Sequence, residues 1–162
     1  MSVTSIDKDF DNRTLTLVAD FDAPIEKVWQ LWADPRKLER WWGPPTHPAT
    51  VERHSLSPGG TVTYFMTGPD GDKAHGLWQI SAVNPPKSLE FMDLFADADG
   101  NPMADMPPST VRMQLTQHGV GTRMEIRSMF DTREDMERLE GMGLWTEGLR
   151  LAVGQMDALL AT

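Results

Sequence analysis

The chain has no cysteine among its 162 residues. Disulfides, thiolate nucleophiles and cysteine zinc sites are therefore excluded, and a reducing cytoplasm is the expected location. Tyrosine occurs once, at Tyr64. Cations are scarce as well: 15 Lys and Arg stand against 24 Asp and Glu, a formal charge of −9. Nucleic-acid and anionic-membrane surfaces need clustered Lys and Arg. The longest such cluster, Arg36-Lys37 with Arg40, is interrupted by Leu38 and Glu39 and reads as a solvated helix face. No run approaches the ~18 apolar residues of a membrane-spanning helix. The opening MSVTSIDKDFDNR lacks the basic start and apolar core of a secretory signal. With 40% hydrophobic and 24% charged residues, the composition suits one globular domain over residues 1–162, large enough to bury a core.

Tryptophan and methionine are plentiful. Four of the six tryptophans fall between Trp29 and Trp42. Ile25, Val28, Trp29 and Trp32 recur at i, i+3, i+4 and i+7, one face of a helix. Pro24 suits its first position, and Glu26 sits where the helix dipole favours an anion. Asp34 reads as the N-cap of a second short helix with Pro35 at its first position. Leu38, Trp41 and Trp42 continue the spacing until Gly43-Pro44-Pro45 ends it. Being adjacent, Trp41 and Trp42 would point about 100° apart on a helix, so one is expected near the surface or a cavity mouth. Eleven methionines fit core gap-filling, with some share in a deformable pocket.

The rest of the chain reads as strands followed by a helix. Arg13–Phe21 alternates as a strand before the two helices. Ala49–Leu56, Thr61–Thr67, His75–Val83, Ser88–Phe95, Thr110–Thr116 and Thr122–Phe130 follow as further strands, separated by Gly/Pro turns and one long polar loop. Arg133–Ala161 carries Leu139, Met142, Trp145, Leu149, Val153, Met156 and Leu160 on one helical face, with a break or kink expected at Gly141 and Gly143. Consecutive strands with short turns make an antiparallel meander, and one long helix would cover one of its faces. Alternation directs Val62, Tyr64, Met66, Trp78, Ile80, Leu89, Phe91, Met113, Leu115, Met124 and Ile126 towards that helix.

This order resembles the START-related helix-grip superfamily (SRPBCC). More closely, it is similar to the homologues of the activator of heat-shock protein 90 ATPase (AHSA-like). The resemblance rests on Ala23-Pro24 with Val28-Trp29, Trp41-Trp42-Gly43-Pro44, and Pro58-Gly59-Gly60 followed by Tyr64 and Met66. Gly68-Pro69-Asp70-Gly71, Pro85-Pro86, Gly121-Thr122 and Trp145 in the terminal helix complete it. Ser55 and Ser57 depart from it, standing where many relatives carry an acid and an arginine. The resemblance implies an α+β helix-grip fold: a curved antiparallel sheet wrapped around a long C-terminal helix, with an apolar cavity between them. Trp41, Trp42, Tyr64, Met66, Trp78, Phe91, Met113, Met124, Trp145, Leu149 and Met156 are then the candidate ligand-binding residues.

Catalytic signatures are missing. His47, His54, His75 and His118 are scattered, so no metal site is expected. No nucleophile elbow or phosphate loop occurs, and no cofactor is expected. Weak acid–base candidates are Asp93, Tyr64 and His75. Asp93 shares the inward face of its strand, where burial would raise its pKa, although a strand-end carboxyl touching water is the more ordinary reading. Tyr64 could orient a polar ligand group or be a core tyrosine. His75 could enter the cavity or be a half-exposed strand histidine.

Three functions follow. The preferred one is a binding module for a small apolar or aromatic, lipid-like molecule. The others are an enzyme of the cyclase, aromatase or hydrolase type, and a chaperone-associated regulator. A homodimer is left open.

Overall fold

A computed structural model describes residues 2–161. Eight strands form one antiparallel sheet: β1 (Val3–Asp9), β2 (Thr14–Phe21), β3 (Ala49–His54), β4 (Thr61–Thr67), β5 (Lys73–Asn84), β6 (Ser88–Ala96), β7 (Ser109–His118) and β8 (Gly121–Phe130). Their spatial order is β1-β2-β8-β7-β6-β5-β4-β3. The last six strands are the expected meander, β2 closes against β8, and β1 adds an edge. Register shifts between Val3 and Ser5, Val51 and Arg53, and Ile80 and Ala82 mark bulges that bend the sheet. The architecture is the helix-grip α+β fold, a curved sheet closing on C-terminal helix.

Strand β1 escaped the sequence reading for a local reason. Its bulge brings Val3 and Ile6 to the same face although they lie three residues apart, and the residues between them are exposed. Alternation therefore does not register. The remaining strand expectations match within a few residues at their ends, and every residue predicted inward is buried except Met66, which is half-buried.

Two helices follow β2, α1 (Ile25–Ala33) and α2 (Pro35–Leu38). Pro24 is the extended N-cap of α1 rather than its first helical residue, because its carbonyl already accepts from Lys27 and Val28 N–H. Asp34 caps α2 as expected, accepting from Arg36 N–H at 2.9 Å. The α2 helix stops at Leu38, so Trp41 and Trp42 lie in a turn held by N–H bonds back to the Leu38 carbonyl.

The end of α1 explains Trp41. The helical donor for the Leu31 carbonyl would be residue 35, which is proline and has no N–H. The Trp41 indole Nε1–H supplies that bond instead, at 2.8 Å. His54 Nε2 donates to the next carbonyl, that of Trp32, at 3.0 Å. Trp41→Phe should therefore cost about 1–3 kcal/mol beyond lost packing, by stranding a buried carbonyl. Trp32→Phe is the control, because its indole N–H has no partner among the described residues. Equal losses for both variants in urea unfolding would refute this assignment.

The expected single helix over Arg133–Ala161 is three segments: α3 (Arg133–Gly141), α4 (Thr146–Val153) and α5 (Met156–Leu160). The first break falls at the anticipated glycines. Gly143 adopts φ +71°, a conformation that favours glycine, and reverses the chain after Met142. Between α4 and α5, Gly154 and Gln155 keep right-handed helical dihedrals, so that interruption is slight. Met142 is exposed because it sits at the first break, where the helical face no longer applies.

This break divides the interior. The main core gathers α1, the sheet's inner face and Ala152, Val153 and Met156. A second, smaller cluster holds Leu15, Phe130, Met136 and Leu139, with Trp145 and Leu149 against it. No helix among the described residues is long and apolar enough to cross a membrane.

Candidate functional site

Between the two clusters lies a hollow of about 460 Å³. Strands β4 to β8 form its floor through Tyr64, Met66, Gly76, Asp93, Val111, Ile126 and Ser128. The turn from Trp42 to His47 forms one side, and the Met142–Trp145 connection with Leu149 and Ala152 forms the roof. Gln155 fixes that side, since its side-chain amide donates to the Gly43 carbonyl at 2.7 Å and the Trp41 carbonyl at 3.2 Å. Thr46, His47, Met142, Leu144, Glu147 and Leu151 belong to the wall and are also exposed, so they surround the mouth.

The floor carries one polar pair. Tyr64 donates its hydroxyl to Asp93 Oδ1 at 3.3 Å in a buried contact. Sheet register makes this possible. Tyr64 sits opposite Gly76, Trp78 opposite Asp93, and Asp93 opposite Ser109. A Cβ at position 76 would lie 2.2 Å from the Tyr64 ring, so the ring can lie over β5 only because that residue is glycine. Trp42 and Trp78 meet edge-on, with centroids 4.9 Å apart, and each is within 6.3 Å of the Tyr64 ring. Behind them Trp78 stacks on Phe91 at 4.0 Å.

Asp93 is only 8% exposed. The expectation that it touches water at a strand end is thus overturned, because β6 runs on to Ala96 and keeps Asp93 inside the sheet. Burial raises its pKa to about 7, and the Tyr64 hydrogen bond offsets part of that. The other carboxyl oxygen has no hydrogen-bond partner among the described residues. The Ser109 hydroxyl, its cross-strand neighbour, is buried without a partner. Burial, and then the Asp93 charge, push the Tyr64 hydroxyl well above its ordinary value. The nearby Trp42 and Trp78 indoles act the other way, although neither completes a hydrogen bond.

The residues singled out from sequence divide by position. Trp42, Tyr64, Met66, Trp145, Leu149, Asp93 and His75 are in the wall, His75 with its ring 5.6 Å from Phe65. Trp41, Trp78, Phe91, Met113, Met124 and Met156 are fully buried in the main core and do not line the hollow, with Trp41 and Trp78 packed directly behind its wall. One of Trp41 and Trp42 was expected near the surface or a cavity mouth; both are buried, and Trp42 is the one that borders the hollow. A turn, unlike a helix, lets both rings enter one core, where they meet edge-on at 5.5 Å. Met113, Met124, Met136 and Met156 fill the core, Met92, Met103, Met129 and Met142 are exposed, and among the described residues only Met66 and Met142 reach the hollow. Val111, Ser128, Gly148 and Ala152 were not singled out. They are small or ordinary residues whose role comes from the gap they face.

Among the described residues no cluster of histidines and carboxylates could hold a metal ion.

A family model described as Activator of Hsp90 ATPase homolog 1-like protein matches residues 22–161. Protein Ms6760 from Mycobacterium smegmatis is 50% identical over 98% of this chain and 96% of its own, with a TM-score of 0.90. A protein from Arthrobacter aurescens is 46% identical over 99% of this chain and 92% of its own, with a TM-score of 0.94. The AHSA1 protein from Silicibacter pomeroyi, at 24% identity, shares the fold with a TM-score of 0.71 over 91% of this chain and 97% of its own. No curated protein matches the sequence.

Proposed function

The chain belongs to the family of Activator of Hsp90 ATPase homolog 1-like proteins, and from that premise we propose that it binds a small apolar or aromatic molecule in the hollow. The observation that carries this reading is a hollow of about 460 Å³ walled mainly by apolar side chains, with one polar pair on its floor. Small-molecule sites have this composition and fall in a volume range of roughly 300–1,000 Å³. Trp42 on the side and Trp145 in the roof offer flat apolar surface, and Tyr64–Asp93 orients the ligand.

Gly148 provides the test. It lies in α4 on the wall, and a Cβ there meets only the Gly143 carbonyl, at 3.7 Å. Gly148→Phe should fill the hollow without strain and also favour the helix, since glycine is the weaker helix former. Binding of a fluorescent naphthalene probe should fall at least tenfold while the melting temperature stays level or rises. Unchanged binding by a folded variant would remove the hollow as the site.

A second reading has one observation in its favour. A carboxyl with a pKa of about 7, hydrogen-bonded to a tyrosine, suits acid–base catalysis. It predicts turnover that Asp93→Asn abolishes while binding persists.

A further inference from the structure

We propose that the ligand of this hollow is an amine, an apolar or aromatic body whose protonated nitrogen docks on the free oxygen of Asp93. This rests on the binding reading above and names the chemistry it leaves open. A carboxyl this deeply buried is stable only when neutral or when a cation and further donors accompany it. Among the described residues one donor reaches it, the Tyr64 hydroxyl, and that bond is to Oδ1 alone. The second oxygen is unbonded on a residue that lines the hollow. An ammonium group there would bring both the charge and the hydrogen bonds that are missing.

The surroundings select the same chemistry. Among the described residues no Lys or Arg lines the hollow. The titratable groups of its wall are Asp93 and Tyr64 on the floor, His75 from β5, His47 from the turn and Glu147 from α4. Arg150 lies near Glu147 but is paired with it, Nε to Oε2 at 3.1 Å. An anionic ligand would meet carboxylates and no fixed cation, which disfavours fatty acids and phosphate esters. A cation would also find the rings of Trp42 and Tyr64 beside Asp93, and aromatic faces attract ammonium groups. The overall charge of −9 draws cations towards the mouth.

Binding would release a proton whenever Asp93 begins neutral: the carboxylic acid loses its proton to solvent, and the carboxylate pairs with the ammonium. With the Asp93 carboxyl held at about 7 by burial, amine affinity should fall about tenfold per pH unit below that value. A neutral ligand of the same shape should show no such dependence.

The test is calorimetric titration with naphthylethylamine, naphthylethanol and naphthylacetate at pH 6, 7 and 8, on the native chain and on Asp93→Asn. At pH 8 the amine should bind at least tenfold more tightly than the alcohol, with the acetate weakest. Its advantage should shrink towards pH 6. Asp93→Asn should erase the amine preference, so that amine and alcohol bind alike at every pH, with circular dichroism and a cooperative melt showing that the variant is folded. Equal binding of amine and alcohol, or an amine preference that survives Asp93→Asn, overturns the proposal while the apolar-binding reading stands. If none of the three binds and the naphthalene probe also fails, both fall.

Discussion

Asp93→Asn is expected to raise the unfolding free energy at pH 8 by up to about 4 kcal/mol and to change it little below pH 4. Asp93 is held at about 7 in the folded chain, mainly by burial, against an ordinary value of 3.8. A raised carboxyl contributes its full stability below the unfolded pKa and loses it as pH climbs through the folded one. Between about pH 4 and 7 the folded state therefore binds the extra proton, and its advantage over the unfolded chain shrinks. Asparagine never ionises, so the variant escapes that loss, and the Tyr64 hydroxyl can donate to its amide oxygen as it does to Oδ1. Asp9, Asp20, Asp97, Glu140 and Glu147 shift in the opposite sense. Asp20, for example, is held low, first by its hydrogen bond from Arg123. They are common to both proteins and cancel in the difference. Urea unfolding at pH 4, 6 and 8 measures it. Parallel pH profiles for the two proteins would show that the carboxyl is not buried as described. The expected gain also bears on function: a group that costs stability at neutral pH belongs with sites where binding, not folding, requires it.

Trp32→Ala is expected to destabilise the chain by about 3–5 kcal/mol. Trp32 is fully buried, with ring centroids 4.7 Å from Trp41, 6.2 Å from Trp42 and 6.0 Å from Trp78. It joins α1, the Trp41–Trp42 turn and β5, and its removal leaves a void that these rigid neighbours cannot close. Trp32→Phe should recover most of the loss, because the indole N–H has no partner among the described residues to forfeit. Chemical unfolding of the pair reads this directly. A loss below about 1 kcal/mol for the alanine variant would mean that the turn and sheet repack freely around position 32.

Much of this architecture was legible in the chain because its signals are short-range. The i, i+3, i+4 spacing through Val28, Trp29 and Trp32 gives α1, and Asp34-Pro35 gives the start of α2. Period-two alternation placed Val62, Tyr64, Trp78 and Phe91 on the inner face, and Asp93 with them. Where two local rules disagreed, tertiary structure decided. Asp93 stood between strand alternation, which turns it inward, and its apparent place at a strand end, which exposes it. The pairing of β6 with both β5 and β7 settled that conflict. The Trp41–Trp42 step was misread as helical because helical geometry was extended four residues past Leu38, where the chain had already turned.

By itself, the sequence determined the kind of molecule: a cysteine-free, acidic chain whose strand meander and amphipathic C-terminal segment give a helix-grip fold. Periodicity and punctuation are properties of neighbouring residues, so one chain suffices to show them. The hollow was decided only by tertiary structure. It exists because the C-terminal helix breaks at Gly141–Gly143 and Trp145 joins the Phe130 cluster, leaving a gap over Tyr64 and Asp93. Its polar pair needs residue 76 to be glycine directly across from Tyr64, a match that depends on strand register. A cavity is the space that packing leaves unfilled, and no pattern along the chain records what packing fails to fill.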